Sequence, residues 1–205
     1  MSRLLRTANP IDRSAPGGGR SLSLVIAALL GSALIEQAAA ANWTQTSSGS
    51  ELRFLAEAQG ESFSGQFKTF DTRLSFDPAA LENASFDVRI DLRSVDSANA
   101  ERDELLVSED FFAVEQNAEA RFQADQVSAS TEGFVAKGRL NLRGVERPVE
   151  LNFSFKQADD GKHATLEGSA ILDRLNFDVG GGDWADEEVI ARQVKVETIV
   201  RLARQ

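Results

Sequence analysis

From Ser50 onward, apolar residues fall on alternate positions in run after run. Phe134, Ala136, Gly138, Leu140 and Leu142 share one face of their run, and Val135, Lys137, Arg139 and Asn141 take the other, the pattern of a strand wet on one side. The next run places Val149, Leu151, Phe153 and Phe155 opposite Glu150, Asn152, Ser154 and Lys156. The same alternation is found in Leu52 to Ala58, Phe63 to Phe67, Thr72 to Phe76, Phe86 to Leu92, Ala120 to Ala124, Ala164 to Leu172 and Val194 to Leu202. Turn signals separate the runs: Gly60, Asp77-Pro78, Glu132-Gly133, Arg143-Gly144 and Asp160-Gly161. One segment breaks the period, Ser97 to Phe112, whose Ala, Leu, Glu and Arg content predicts a short helix with Ser97 as its cap. After it, Phe111 and Phe112 are placed to drop onto the sheet as a plug.

About eight short strands with one helix, and no alternation of strand and helix, predict an antiparallel all-β domain. A sandwich and a closed barrel both fit. Small residues on the apolar faces (Ala56, Ala58, Gly65, Ala136, Gly138, Gly168 and Ala170) favour a barrel with an internal cavity, whose width Gly65, Ala136, Gly138, Gly168 and Ala170 are expected to provide. On the same argument Phe54, Phe63, Phe67, Phe122, Phe134, Leu140, Phe153 and Phe177 are candidates to line the pocket, and Phe111, Phe112, Arg174 and Trp184 are candidates for its mouth. Arg174 interrupts an apolar run just before the glycine-rich loop. It can pair with Asp173, Asp178 or Asp183, or donate to a polar ligand head.

Residues 1–41 differ in kind. Arg3, Arg6, Arg13 and Arg20 precede the apolar run Leu22 to Ile35, and small residues follow at Ala38 to Ala41. This reads as a secretory signal peptide cleaved near Ala40 or Ala41, because the apolar run is short of the roughly 20 residues a spanning helix needs. Residues 42–205 then form one domain. The expected compartment is the periplasm, with no stable membrane insertion after cleavage.

The full chain carries a formal charge of −10, and loss of the arginine-bearing segment makes the remainder more acidic still. Nucleic acid is therefore a poor partner, since it demands a basic footprint. There is no Cys, which leaves no disulfide, thiolate metal site or cysteine nucleophile in these 205 residues. His163 is the one histidine and stands in a turn. With no Tyr and no Gly-x-Ser-x-Gly, the sequence predicts no enzyme, no catalytic residues and no cofactor. Asp183, Asp186, Glu187 and Glu188 lack the ligand spacing of a calcium loop, so no metal is expected.

Four ordered motifs add a resemblance: Ser108-Glu109-Asp110-Phe111-Phe112, Glu119-Ala120-Arg121-Phe122, Gly138 to Val145 with Arg147-Pro148, and Arg174-Leu175-Asn176-Phe177 with Val179-Gly180. Together they resemble the YceI family across roughly Trp43 to Ala203. The resemblance implies an eight-stranded antiparallel lipocalin-like barrel, closed at its mouth by one short helix, that binds, stores or transports a long-chain apolar lipid such as a polyisoprenoid or prenylated quinone. The sequence departs from the family pattern at Asp178, where Gly is frequent, at Ala191, and in lacking a Pro within Gln116 to Ala118. Two alternatives stay open: a β-sandwich interaction module without ligand, and a barrel for a fatty acid or fatty amide. The sequence also leaves a homodimer open.

Overall fold

The structure is a computed structural model that describes residues 40–205; the expected signal peptide lies outside the described residues except for its last two positions. Eleven strands follow in chain order: β1 (Ala41–Gln45), β2 (Glu51–Ala58), β3 (Glu61–Phe67), β4 (Phe70–Phe76), β5 (Ser85–Asp91), β6 (Val95–Asp96), β7 (Glu119–Ser130), β8 (Gly133–Leu142), β9 (Val145–Gln157), β10 (His163–Asp173) and β11 (Gln193–Arg204). All pairings are antiparallel, and β1 bonds both β4 and β11, so the sheet returns on itself. Three pairs of short strands are halves of bent staves: β1 with β2, β3 with β4, and β5 with β6. Counted that way, eight staves close a barrel, as the resemblance implied.

The bends are stitched rather than open. Where β1 gives way to β2, the Thr46 N–H donates to the Arg201 carbonyl at 2.8 Å and the Arg201 N–H donates to Ser50 Oγ at 2.9 Å. Between β3 and β4, the Lys68 N–H bonds the Ser94 carbonyl at 3.0 Å and the Thr69 carbonyl accepts from Asp91 at 3.1 Å. Closure removes the unpaired edges that an open sheet would present.

The inward face of each stave is the apolar face read from the sequence, and one end is packed solid. Trp43, Phe76, Phe86, Phe134, Phe153 and Phe155 meet there with ring centroids 4.8–5.4 Å apart. These are the edge-to-face and tilted distances at which aromatic pairs attract. Trp43 is fully buried and its indole N–H donates to the Phe76 carbonyl at 3.1 Å, so the largest side chain of this floor leaves no polar atom unpaired.

Among the described residues the one α-helix, α1, spans Ala100–Val107. Its cap is Asn99, whose side chain accepts from the Arg102 N–H at 3.0 Å, and not Ser97 as the sequence predicted. Ser97 is buried, gives its hydroxyl to Asp103 at 2.6 Å and accepts from Arg102 Nε at 2.8 Å, so it anchors the helix through side chains. Glycine has a backbone role at one crossing. A Cβ on Gly138 would stand 2.3 Å from the Gln123 carbonyl oxygen, beside the register shift between Ala124 and Gln126.

On the outer surface, carboxylates contact basic side chains and backbone N–H groups. Asp96 meets the Lys68 ammonium at 2.8 Å and the Ala98 N–H at 3.0 Å, and Asp160 meets the His163 ring at 2.6 Å and the Lys162 N–H at 2.8 Å. The side-chain bond from Lys68 and that from His163 are the main causes that pull these carboxyls down to about 2. A carboxyl whose pKa is depressed by folding stabilises the fold above its unfolded value and loses that contribution as pH falls through the folded value. The part of the melting temperature that these two contacts supply should therefore hold down to about pH 5 and fall between about pH 4 and pH 2. Asp96→Asn and Asp160→Asn should each make that fall shallower in a thermal melt series, and an unchanged slope in both would count against these contacts.

Candidate functional site

Above the aromatic floor the barrel is not filled. A cavity of about 350 Å³ runs up to the opposite end, walled by inward residues of every stave. Its wall includes Phe54, Phe63, Phe67, Phe122, Leu140 and Phe177, six of the eight pocket candidates. Phe134 and Phe153 are not on it: they lie one step deeper, in the floor, with centroids 5.4 Å apart. Alternation gives the face of a residue but not its height along the barrel, and this is why the two could not be told apart from the others.

The small residues also divide. Ala56, Ala58 and Ala170 line the cavity, whereas Gly65, Ala136, Gly138 and Gly168 do not. They admit neighbours instead of ligand: a Cβ on Gly65 would fall 2.3 Å from the Phe54 ring, and one on Gly168 would fall 3.1 Å from Leu151. The expectation that these positions set the cavity width is thus corrected to Ala56, Ala58 and Ala170.

All four mouth candidates line the cavity, and they are held by one connected frame. Phe111 and Phe112 are buried, with Phe112 5.9 Å from Phe67 and Phe111 5.7 Å from Trp184 between ring centroids. Trp184 Nε1 donates to Asp110 at 3.3 Å, and the Gly180 N–H donates to the Asp110 carbonyl at 2.8 Å. Arg143, in the turn after β8, donates to the carbonyls of Glu109 and Asp178, so it ties the segment before Phe111 to the loop that follows β10. Asp178 itself has φ 55° and ψ 24°, a left-handed conformation. That is the geometry glycine adopts freely and Asp tolerates, which accounts for the departure at this position.

At the centre of the frame is Arg174, only 5% exposed. Its Nε donates to the Ala191 carbonyl at 3.1 Å, Nη1 to Val179 at 3.0 Å and to Gly180, and Nη2 to Trp184 and Ile190, both at 2.8 Å. A guanidinium has five N–H donors, and carbonyls take all five. Neither sequence reading of Arg174 holds. Among the described residues no carboxylate pairs with it, Asp173 being turned to Arg192 at 2.6 Å, and no donor remains for a ligand head. Burial pulls its pKa down. Nothing in the sequence marked the five carbonyls, since all lie between β10 and β11 and are backbone atoms with no side-chain signature.

Two of the four carboxylates of the acidic loop make local contacts. Asp186 accepts from the Glu188 N–H at 2.9 Å and Glu187 faces Arg192 at 3.5 Å.

Two substitutions separate frame from wall. Arg174→Met should strand the carbonyls and lower unfolding free energy by about 3–5 kcal/mol, and Arg174→Lys, with three donors, should recover only part of it. Chemical denaturation reads both. Ala170→Leu should fill the cavity and reduce uptake of a long apolar ligand while changing stability by no more than about 1–3 kcal/mol.

The geometry has counterparts in known proteins. The YceI-like domain model matches residues 43–202. A UPF0312 protein of Ectopseudomonas mendocina is 36% identical over 162 residues, covering 75% of this chain and 85% of that protein. One from Pseudomonas aeruginosa is 36% identical over 168 residues, covering 77% and 88%. Among solved structures, BcnA of Burkholderia cenocepacia superposes with a TM-score of 0.69 at 24% identity, covering 74% of this chain and 95% of that one. A domain from Saccharophagus degradans described as polyisoprenoid-binding gives a TM-score of 0.61 at 14% identity, covering 80% and 98%. A model match across most of the chain, and relatives of this similarity and coverage, place the protein in the YceI-like family.

Proposed function

We propose that this protein binds a long-chain isoprenoid lipid, a polyisoprenoid or prenylated quinone, and stores or transports it in the periplasm with the chain buried in the barrel. The observation that carries this reading is the cavity of about 350 Å³ above a sealed aromatic floor, walled almost wholly by Phe, Leu, Val, Ile and Ala. It falls within the range of about 300–1,000 Å³ seen for small-molecule sites. Each methylene that leaves water for such a wall gains about 0.8 kcal/mol before ordering is charged against it, so a branched chain of several isoprene units has ample driving force. The polyisoprenoid binding ascribed to the Saccharophagus degradans domain of the same fold points the same way.

The closed barrel disfavours the sandwich module, whose core would be filled. A fatty acid held by Arg174 is disfavoured by the saturation of that guanidinium, because a buried carboxylate needs a paired donor. The reading involves no reaction chemistry and no cofactor apart from the lipid itself.

Protein purified from its own source, extracted with organic solvent and analysed by mass spectrometry, should yield a prenylated lipid in near-stoichiometric amount, and Ala170→Leu should yield less. Recovery of saturated fatty acids alone, or of no lipid under gentle purification, would overturn the assignment. Fractionation of the source cells tests the compartment.

A further inference from the structure

Two arginines line the cavity, and they are in opposite states. Arg174 has no donor left. Arg102, on the first turn of α1, is held by two bonds to one residue: Nε donates to Ser97 Oγ and Nη2 to the Ser97 carbonyl, each at 2.8 Å. Its guanidinium carbon stands 4.3 Å above the centre of the Phe63 ring. The side chain is therefore fixed in place, yet among the described residues no carboxylate lies within ion-pair distance of it and Nη1 donates to nothing. Arg102 is half-buried, like Phe63, Leu105 and Trp184, the wall residues that border the opening. The result is a preorganised cationic edge at the one end of the cavity that is not sealed.

We infer that Arg102 is the head-group residue: its Nη1 donates to a carbonyl oxygen on the polar end of a ligand whose chain fills the barrel, and the head lies against the Arg102–Phe63 pair. This rests on the lipid-binding reading above and adds which end of the lipid is read and by what. The head is a neutral acceptor. Glu101, Asp103 and Glu104 share α1 with Arg102, and Asp183, Asp186 and Glu188 stand on the segment beside Trp184, so an anionic head would enter a field of its own sign. A carbonyl takes the charge-assisted bond without that penalty.

The test compares three ligands of equal chain length, a tetraprenyl benzoquinone, the tetraprenyl hydrocarbon and tetraprenyl diphosphate, by competitive binding read in native mass spectrometry. The hosts are wild type, Arg102→Met, which keeps the apolar stem, and Arg102→Lys, which keeps the charge and loses the fork. Arg102→Met should weaken the benzoquinone about tenfold and leave the hydrocarbon within about twofold, with Arg102→Lys between. Equal weakening of quinone and hydrocarbon would make Arg102 a wall residue acting through Phe63, and no weakening would remove it from recognition; either result overturns the inference and leaves lipid binding intact. A wild-type preference for the diphosphate that disappears in Arg102→Met would make the head anionic and overturn the neutral assignment. If wild type takes up none of the three, the lipid-binding reading falls and this inference falls with it.

Discussion

Everything in this molecule depends on the return of the sheet to its first strand. β1 bonds β4 on one side and β11 on the other, and without those two ladders the barrel would be an open, twisted sheet with an apolar face too large to cover. Closure turns that face inward and forces the question of what fills it. At one end the answer is aromatic packing around Trp43 and Phe76; at the other it is space. Both follow from one periodicity: at the floor the inward rings meet each other, and above it Phe, Leu, Val and Ala face a common space.

The mouth is built on a different principle. Its side chains are apolar, but they are positioned by polar contacts: Arg174, buried, on five carbonyls, and nearer the surface Arg143 on two and Asp110 on Gly180 and Trp184. Three of the four motifs that carry the family likeness contribute to this frame, through Asp110, Arg143 and Arg174, while others of their residues, Phe111, Phe112, Leu140 and Phe177 among them, line the cavity. A loop that must stay irregular around an opening cannot satisfy its carbonyls in a ladder. A guanidinium placed among them does so from one residue.

How much of this could be read from the sequence follows from what period-two alternation encodes. It assigned the faces of the staves, the hairpin turns at Gly133, Gly144 and Gly161, and the helix, because each of these is a local property. It could not rank residues by height in the barrel, which is why Phe134 and Phe153 were grouped with the cavity and are found in the floor. Nor could it tell a glycine that leaves room for ligand from one that leaves room for a neighbour; Gly138 is the second kind, since the Gln123 carbonyl occupies the place of its side chain. The helix cap moved from Ser97 to Asn99 because Ser97 is buried and engaged by Arg102 and Asp103, contacts that exist only once the helix is docked. Arg174 was singled out by its interruption of an apolar run, but its partners are backbone atoms, and backbone partners leave no trace in composition.

The sealed floor makes the barrel a blind tube, and a blind tube has one door. A chain inside it leaves by the route it entered, with the last segment in being the first out. Each added unit then lengthens the path that must slide past the same rim, so escape should slow with chain length more steeply than entry does. On the proposed lipid-binding reading, exchange would then be an event at one end of the molecule, at the rim set by α1 and the Trp184 loop.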